Sequence, residues 1–98
     1  MEKRTPHCRL SIVRQLVDAG RVRETTTASL GATSMGLDRE EMIDVVRNLT
    51  MADFLKSMTT YADHRLWQDV YRPMTKSGQA YVKLMVVDDV LVVSFKEL

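Results

Sequence analysis

Two observations predict an α+β fold. Apolar residues recur at helical spacing through residues 1–50, and after Thr50 the period shortens to two, with β-branched and aromatic residues alternating with polar ones. Helices first and strands second, joined by connections too short for crossovers, fold as N-terminal helices packed on one face of a C-terminal antiparallel β-sheet. The 98 residues, 45% hydrophobic and 28% charged, suit one globular domain over residues 1–98.

In the first helix Leu10, Val13, Leu16 and Val17 recur at three- and four-residue steps, after Pro6 and before Gly20, which stands where a left-handed cap is wanted. The second opens with Thr25, Thr26 and Thr27, each able to cap, and runs through Ala28 and Leu30 to Gly36. The third begins at Asp38. Glu41 follows at the spacing of a capping box, although Asp replaces the usual Ser or Thr, and Met42, Val45, Val46 and Leu49 share one face.

Strands are predicted at Phe54–Tyr61, Leu66–Arg72, Gln79–Val87 and Val90–Lys96. With Asp88-Asp89 as a two-residue turn, Val87 pairs with Val90, Met85 with Val92, Lys83 with Ser94 and Tyr81 with Lys96. The opposite side of this hairpin reads Ala80, Val82, Leu84, Val86, Leu91, Val93 and Phe95; it is wholly apolar and therefore core. The other side displays Tyr81, Lys83, Ser94 and Lys96 to solvent. If Arg72 pairs with Gln79, Val70 lies opposite Tyr81 and Gln68 opposite Lys83, which adds Gln68 and Arg72 to the polar face. Lys56 and Met58 alternate with Leu55 and Ser57, and a four-residue loop leaves open which face Lys56 takes.

Several function classes are disfavoured. The longest apolar runs, Leu84–Val87 and Val90–Val93, are far too short to cross a bilayer, and no signal-length apolar stretch follows the basic start, so a cytoplasmic protein without a membrane role is expected. A lone Cys8 supports no internal disulfide. His7 and Cys8 are adjacent and His64 is distant, so no zinc-ligand spacing is present; no metal and no cofactor is expected. Cys8 reads as a small apolar filler, His64 as a loop residue, and Tyr61, Trp67 and Tyr71 as core or interface aromatics. Net charge is only +1, yet residues 1–23 hold six Lys/Arg against two acids and residues 24–55 two against six, which points to one basic side.

A sheet face with several cations, a phenol and an amide suits RNA. Metal-independent cleavage needs a base for the 2′-hydroxyl proton, an acid for the departing 5′-oxygen, and cations on the phosphorane. Lys, Tyr and Arg can supply all three, provided clustered charge or burial lowers the pKa of one member, since free Lys and Tyr titrate near 10. A Lys56, Lys83, Lys96 and Arg72 cluster would do that to each of its members. The alternative is a non-catalytic module whose sheet binds RNA or protein.

The start MEKRTPH, the block KSMTTYADHRLWQDVYRP from Lys56 to Pro73 and the ending LVVSFKE from Leu91 to Glu97 resemble the motility quorum-sensing regulator (MqsR) toxins of bacterial toxin–antitoxin systems. The resemblance runs from end to end, while residues 25–50 match only in helical pattern. It implies a RelE-like fold and an mRNA endonuclease that cuts at short sequences beginning with GC and halts translation. The family's active residues map onto Lys56, Gln68, Tyr81 and Lys96, which places Lys56 on the site face; Met58 and Arg72 extend it, and Lys83, set on the same face by the hairpin register, is expected to bind substrate with them. The resemblance also implies a zinc-containing, MqsA-like antitoxin as partner, with DNA contacted only through the antitoxin complex. Family members with histidine at position 88 differ from this chain, which has Asp88.

Overall fold

Side-chain caps decide where the second and third helices begin. The computed structural model describes residues 1–98 and places helices α1 (Leu10–Asp18), α2 (Thr26–Ser34) and α3 (Arg39–Arg47) before most of the sheet. After α1, Gly20 takes φ 76°, the left-handed conformation that glycine adopts without a Cβ clash, and Arg21 N–H donates back to the Leu16 carbonyl at 2.8 Å. The Thr25 hydroxyl accepts from Ala28 N–H at 3.0 Å and donates to the Val93 carbonyl at 2.8 Å, so the cap that starts α2 also ties it to the sheet. The predicted capping box opens α3: Glu41 N–H donates to Asp38 Oδ1 at 2.8 Å, and Asp38 N–H to Glu41 Oε1 at 3.0 Å.

The strands are β1 (Glu2–Lys3), β2 (Val22–Glu24), β3 (Phe54–Thr59), β4 (Trp67–Tyr71), β5 (Met74–Thr75), β6 (Gly78–Val86) and β7 (Val90–Glu97). Their order is β1-β3-β4-β6-β7-β2, with β5 beside β6. The four predicted strands are present, with β3 two residues shorter than expected and β4 trimmed by one at each end. Three strands were not predicted. Runs of two or three residues are too short to show a period, and β2 pairs with β7 in parallel, which short hairpin connections do not foretell.

The last hairpin departs from its predicted register near the turn. The loop is Val87-Asp88-Asp89, so Val86 pairs with Val90 and Leu84 with Val92. A bulge in β7 at Val93 then restores the expected pairs, Lys83 with Ser94 and Tyr81 with Lys96. Because one residue of slip exchanges faces, Val90 and Val92 are buried where Leu91 and Val93 were expected, and those two are half-exposed. The β4–β6 pairing is also shifted: Val70 faces Lys83 rather than Tyr81, and Tyr71 faces Val82.

The helices cover one face of the sheet. An 18-residue core joins Leu10, Val13 and Val17 of α1, Met42, Ile43 and Val46 of α3, and Ala80, Val82, Leu84, Val90, Val92 and Phe95 of the sheet. In α2 the buried residues are Ala28 and Ala32, whereas Leu30, expected to help define the helix, is 62% exposed. Small residues let α2 lie directly on β7, and at Gly31 an added Cβ would overlap the Phe95 carbonyl oxygen. No helix is long and apolar enough to cross a membrane.

Gly31→Ala should therefore force α2 off β7. Chemical denaturation is expected to show a loss of about 2–3 kcal/mol, although alanine is intrinsically the better helix former; an unchanged midpoint would contradict this packing.

Candidate active site

With one face under the helices, alternate residues of the central strands must project from the other. Lys56 and Met58 of β3, Gln68 and Val70 of β4, Tyr81 and Lys83 of β6, and Ser94 and Lys96 of β7 share that bare face through the pairs Lys56–Val70, Met58–Gln68, Val70–Lys83, Lys83–Ser94 and Tyr81–Lys96. Lys56 thus lies on the side the resemblance assigned to it. Gln68 falls beside Met85 rather than opposite Lys83, one consequence of the shifted β4–β6 register. Val70, between Lys56 and Lys83, is fully buried, an apolar floor beneath ammonium-bearing stems.

The cations gather around one phenol. Lys96 Nζ stands 5.2 Å and Lys83 Nζ 5.9 Å from the centroid of the Tyr81 ring, within cation–π range. Partial burial lowers the pKa of Lys83, and the positive charges of Lys96 and Lys56 lower it further. The expectation that clustering lowers the pKa of every member holds for Lys83 and fails for Lys56. Glu2 accepts a hydrogen bond from Lys56 Nζ at 2.7 Å, and this ion pair raises the Lys56 pKa. Arg72 lies just past β4, with its side chain exposed. Its N–H donates to the Asp53 carbonyl at 2.7 Å and its carbonyl accepts from Gln79 Nε2 at 3.1 Å, so the backbone is held while the guanidinium is free of any ion pair.

The remaining candidates lie elsewhere. Cys8 is half-buried against the core, and burial together with Asp69 raises its pKa, which opposes a thiolate nucleophile. Tyr71 is fully buried beside Phe54, as expected of a core aromatic, but Tyr61 is completely exposed at the β3–β4 loop. Trp67 is half-buried under His7, stacked at 5.5 Å, with Lys3 Nζ 4.2 Å from its ring. No three His, Cys, Asp or Glu side chains converge as metal ligands would. The basic start of the chain divides: the charge of Arg4 acts on Glu2 and Lys56 at the bare face, whereas Arg21 pairs with Asp89 at 2.8 Å near the far turn.

Two acids carry roles that sequence reading missed. Glu2 sits on β1, whose pairing Glu2–Met58 puts it on the bare face. Asp69, on the helix side of β4, accepts from the backbone N–H groups of His7 and Cys8 at 2.9 and 3.0 Å, fastening the segment that follows β1. The available signal was an acid at an inward position of an otherwise apolar stretch, where burial demands hydrogen-bond partners.

NMR titration of the lysine side chains should find Lys83 losing its proton before Lys56 as pH rises. Lys96→Ala should move Lys83 back towards the ordinary lysine value, because one repelling charge is gone; a Lys83 indifferent to that change would contradict the cluster.

The family model described as motility quorum-sensing regulator, toxin of MqsA, matches residues 5–97. The mRNA interferase toxin MqsR of Escherichia coli (strain K12) is 59% identical over 97 residues, which is 99% of each chain.

Proposed function

The chain belongs to the motility quorum-sensing regulator family of toxins, and from that premise we propose that it is a metal-independent endoribonuclease. It cuts mRNA at GC-containing, GCU-like sites and so halts translation in the cytoplasm, the whole of residues 1–98 acting as one interferase domain. An MqsA-like, zinc-containing antitoxin neutralises it, and DNA is reached only through that complex. The observation that carries the reading is the phenol of Tyr81 set among Lys83 and Lys96 on an uncovered sheet face that also presents Lys56 and Gln68.

The catalytic set is Lys56, Gln68, Tyr81 and Lys96. Cleavage by the neighbouring 2′-hydroxyl builds charge on the non-bridging phosphate oxygens and on the leaving 5′-oxygen. Lys96 and Lys56 stabilise the phosphorane, with Lys83 and Arg72 binding the flanking phosphates. Tyr81, with the Lys83 and Lys96 ammonium groups beside its ring, gives its proton to the 5′-oxygen. Gln68 presents an amide that orients or reads a base, and Met58 beside it offers an apolar surface for that base to rest on.

Purified protein in EDTA should cut a defined mRNA at discrete GC-containing sites mapped by primer extension. Tyr81→Phe should slow cleavage by about 10²–10⁴-fold while the protein still folds. Lys56→Ala should lose about 10²-fold or more through its missing charge. Near-normal cleavage by Tyr81→Phe would overturn its role, and RNA left intact even with translating ribosomes would favour the non-catalytic binding module.

A further inference from the structure

The proton taken from the 2′-hydroxyl has no obvious destination among the residues above. Ammonium and phenol groups release protons near pH 10 in general, so at neutral pH they serve as donors. Lys56 is held still more firmly as an ammonium by its ion pair. A base that works at neutral pH has to be a group already deprotonated there.

Glu2 is the carboxylate that reaches the cluster. Its register opposite Met58 brings it onto the bare face, and its Oε1 lies 2.7 Å from Lys56 Nζ. Its second oxygen, Oε2, has no hydrogen-bond partner, and the side chain is 59% exposed, so that oxygen is open to a substrate. An ammonium has three N–H donors; one is spent on Glu2 and two remain for phosphate oxygens. Lys56 is thus placed to bridge the carboxylate and a scissile phosphate, which would bring the carboxylate beside the ribose that carries the attacking hydroxyl.

The carboxylate is also held in place. Lys3 pairs with Ser57, its ammonium lies over Trp67, and Asp69 grips the His7 and Cys8 N–H groups four and five residues further on. Such a fastening of a two-residue edge strand gives the base a fixed position before substrate arrives.

We infer that Glu2 is the general base of the cleavage, a reading that rests on the endoribonuclease function proposed above. The 2′-O–H bond breaks and its proton passes to Glu2; the 2′-oxygen bonds to phosphorus as the bond to the 5′-oxygen breaks; that oxygen takes a proton from Tyr81. The products are a 2′,3′-cyclic phosphate and a 5′-hydroxyl, and exchange with water returns both side chains to their starting states. The charges facing Glu2 are Lys56 across the strand pair and Arg4 and the Met1 ammonium on its own segment, all positive. They keep its carboxyl below the usual value, Lys56 foremost, so the base stays ionised well to the acid side of neutrality.

The test is single-turnover cleavage of an RNA oligonucleotide with one GCU, followed across pH for wild type, Glu2→Gln and Glu2→Asp. Binding is measured on the same oligonucleotide with a 2′-deoxy residue at the cut. Glu2→Gln should cut about 10²–10⁴-fold more slowly, bind within a few-fold of wild type, and lose the acid-side fall in rate, while Glu2→Asp retains part of the activity. Glu2→Gln cutting at the wild-type rate, or losing rate only in proportion to binding, would overturn the assignment. Where wild type cuts and Lys56→Ala does not, an unimpaired Glu2→Gln sinks the base alone; a wild type that leaves RNA intact under all conditions sinks the endoribonuclease reading as well.

Discussion

Covering one face of the sheet with three helices constrains everything else in this molecule. In a strand, successive side chains point to opposite faces, so each inward Val82, Leu84 or Phe95 forces a neighbour outward. The inward set fills a core that a 98-residue chain needs in full. The outward set is then free to be polar, and here it concentrates Lys56, Lys83, Lys96 and Tyr81 in adjacent strands. Repulsion among the ammonium groups is tolerated because water still reaches them, while the stems of Lys56 and Lys83 flank the buried Val70.

Strand order converts this alternation into a site. Tyr81 and Lys96 come from β6 and β7, close in sequence, whereas Lys56 and Gln68 come from β3 and β4, which reach β6 through the Val70–Lys83 pair. The outermost contribution arrives from the start of the chain, where β1 lays Glu2 against β3. A two-residue strand has little hold of its own, and the buried carboxylate of Asp69 supplies it through two backbone hydrogen bonds. Hydrogen bonds to a charged acceptor are the stronger kind, roughly twice a neutral pair. The acid on the helix side of β4 thereby sets the position of an acid on the bare side of β1.

Much of this was legible in the sequence, for physical reasons that differ by element. Helices α1 and α3 announce themselves through apolar spacing and caps, and α2 through the threonines at its start. Leu30 misleads because α2 packs through alanines and a glycine, a geometry dictated by the close approach to β7 rather than by hydrophobicity. The Tyr81–Lys96 pair is readable because two departures cancel: one extra residue in the turn and one bulged residue at Val93. Between them, nearer the turn, the faces are exchanged, and no local pattern distinguishes Val92 from Val93. The face of Lys56 came from family resemblance and not from alternation, since the β3–β4 loop leaves the register open. Glu2 and Asp69 stayed hidden because their partners are 54 and about 60 residues away in the chain.

In the proposed function, RNA lies on the uncovered face of the sheet. The most direct measurement is an NMR titration with an RNA oligonucleotide made uncleavable by a 2′-deoxy residue at the cut, following backbone amides and lysine side chains. Changes should concentrate in β3, β4, β6 and β7 around Lys56, Gln68, Lys83 and Lys96, with α1 and α3 unmoved. Changes confined to the helical layer, or spread evenly over the surface, would contradict that placement.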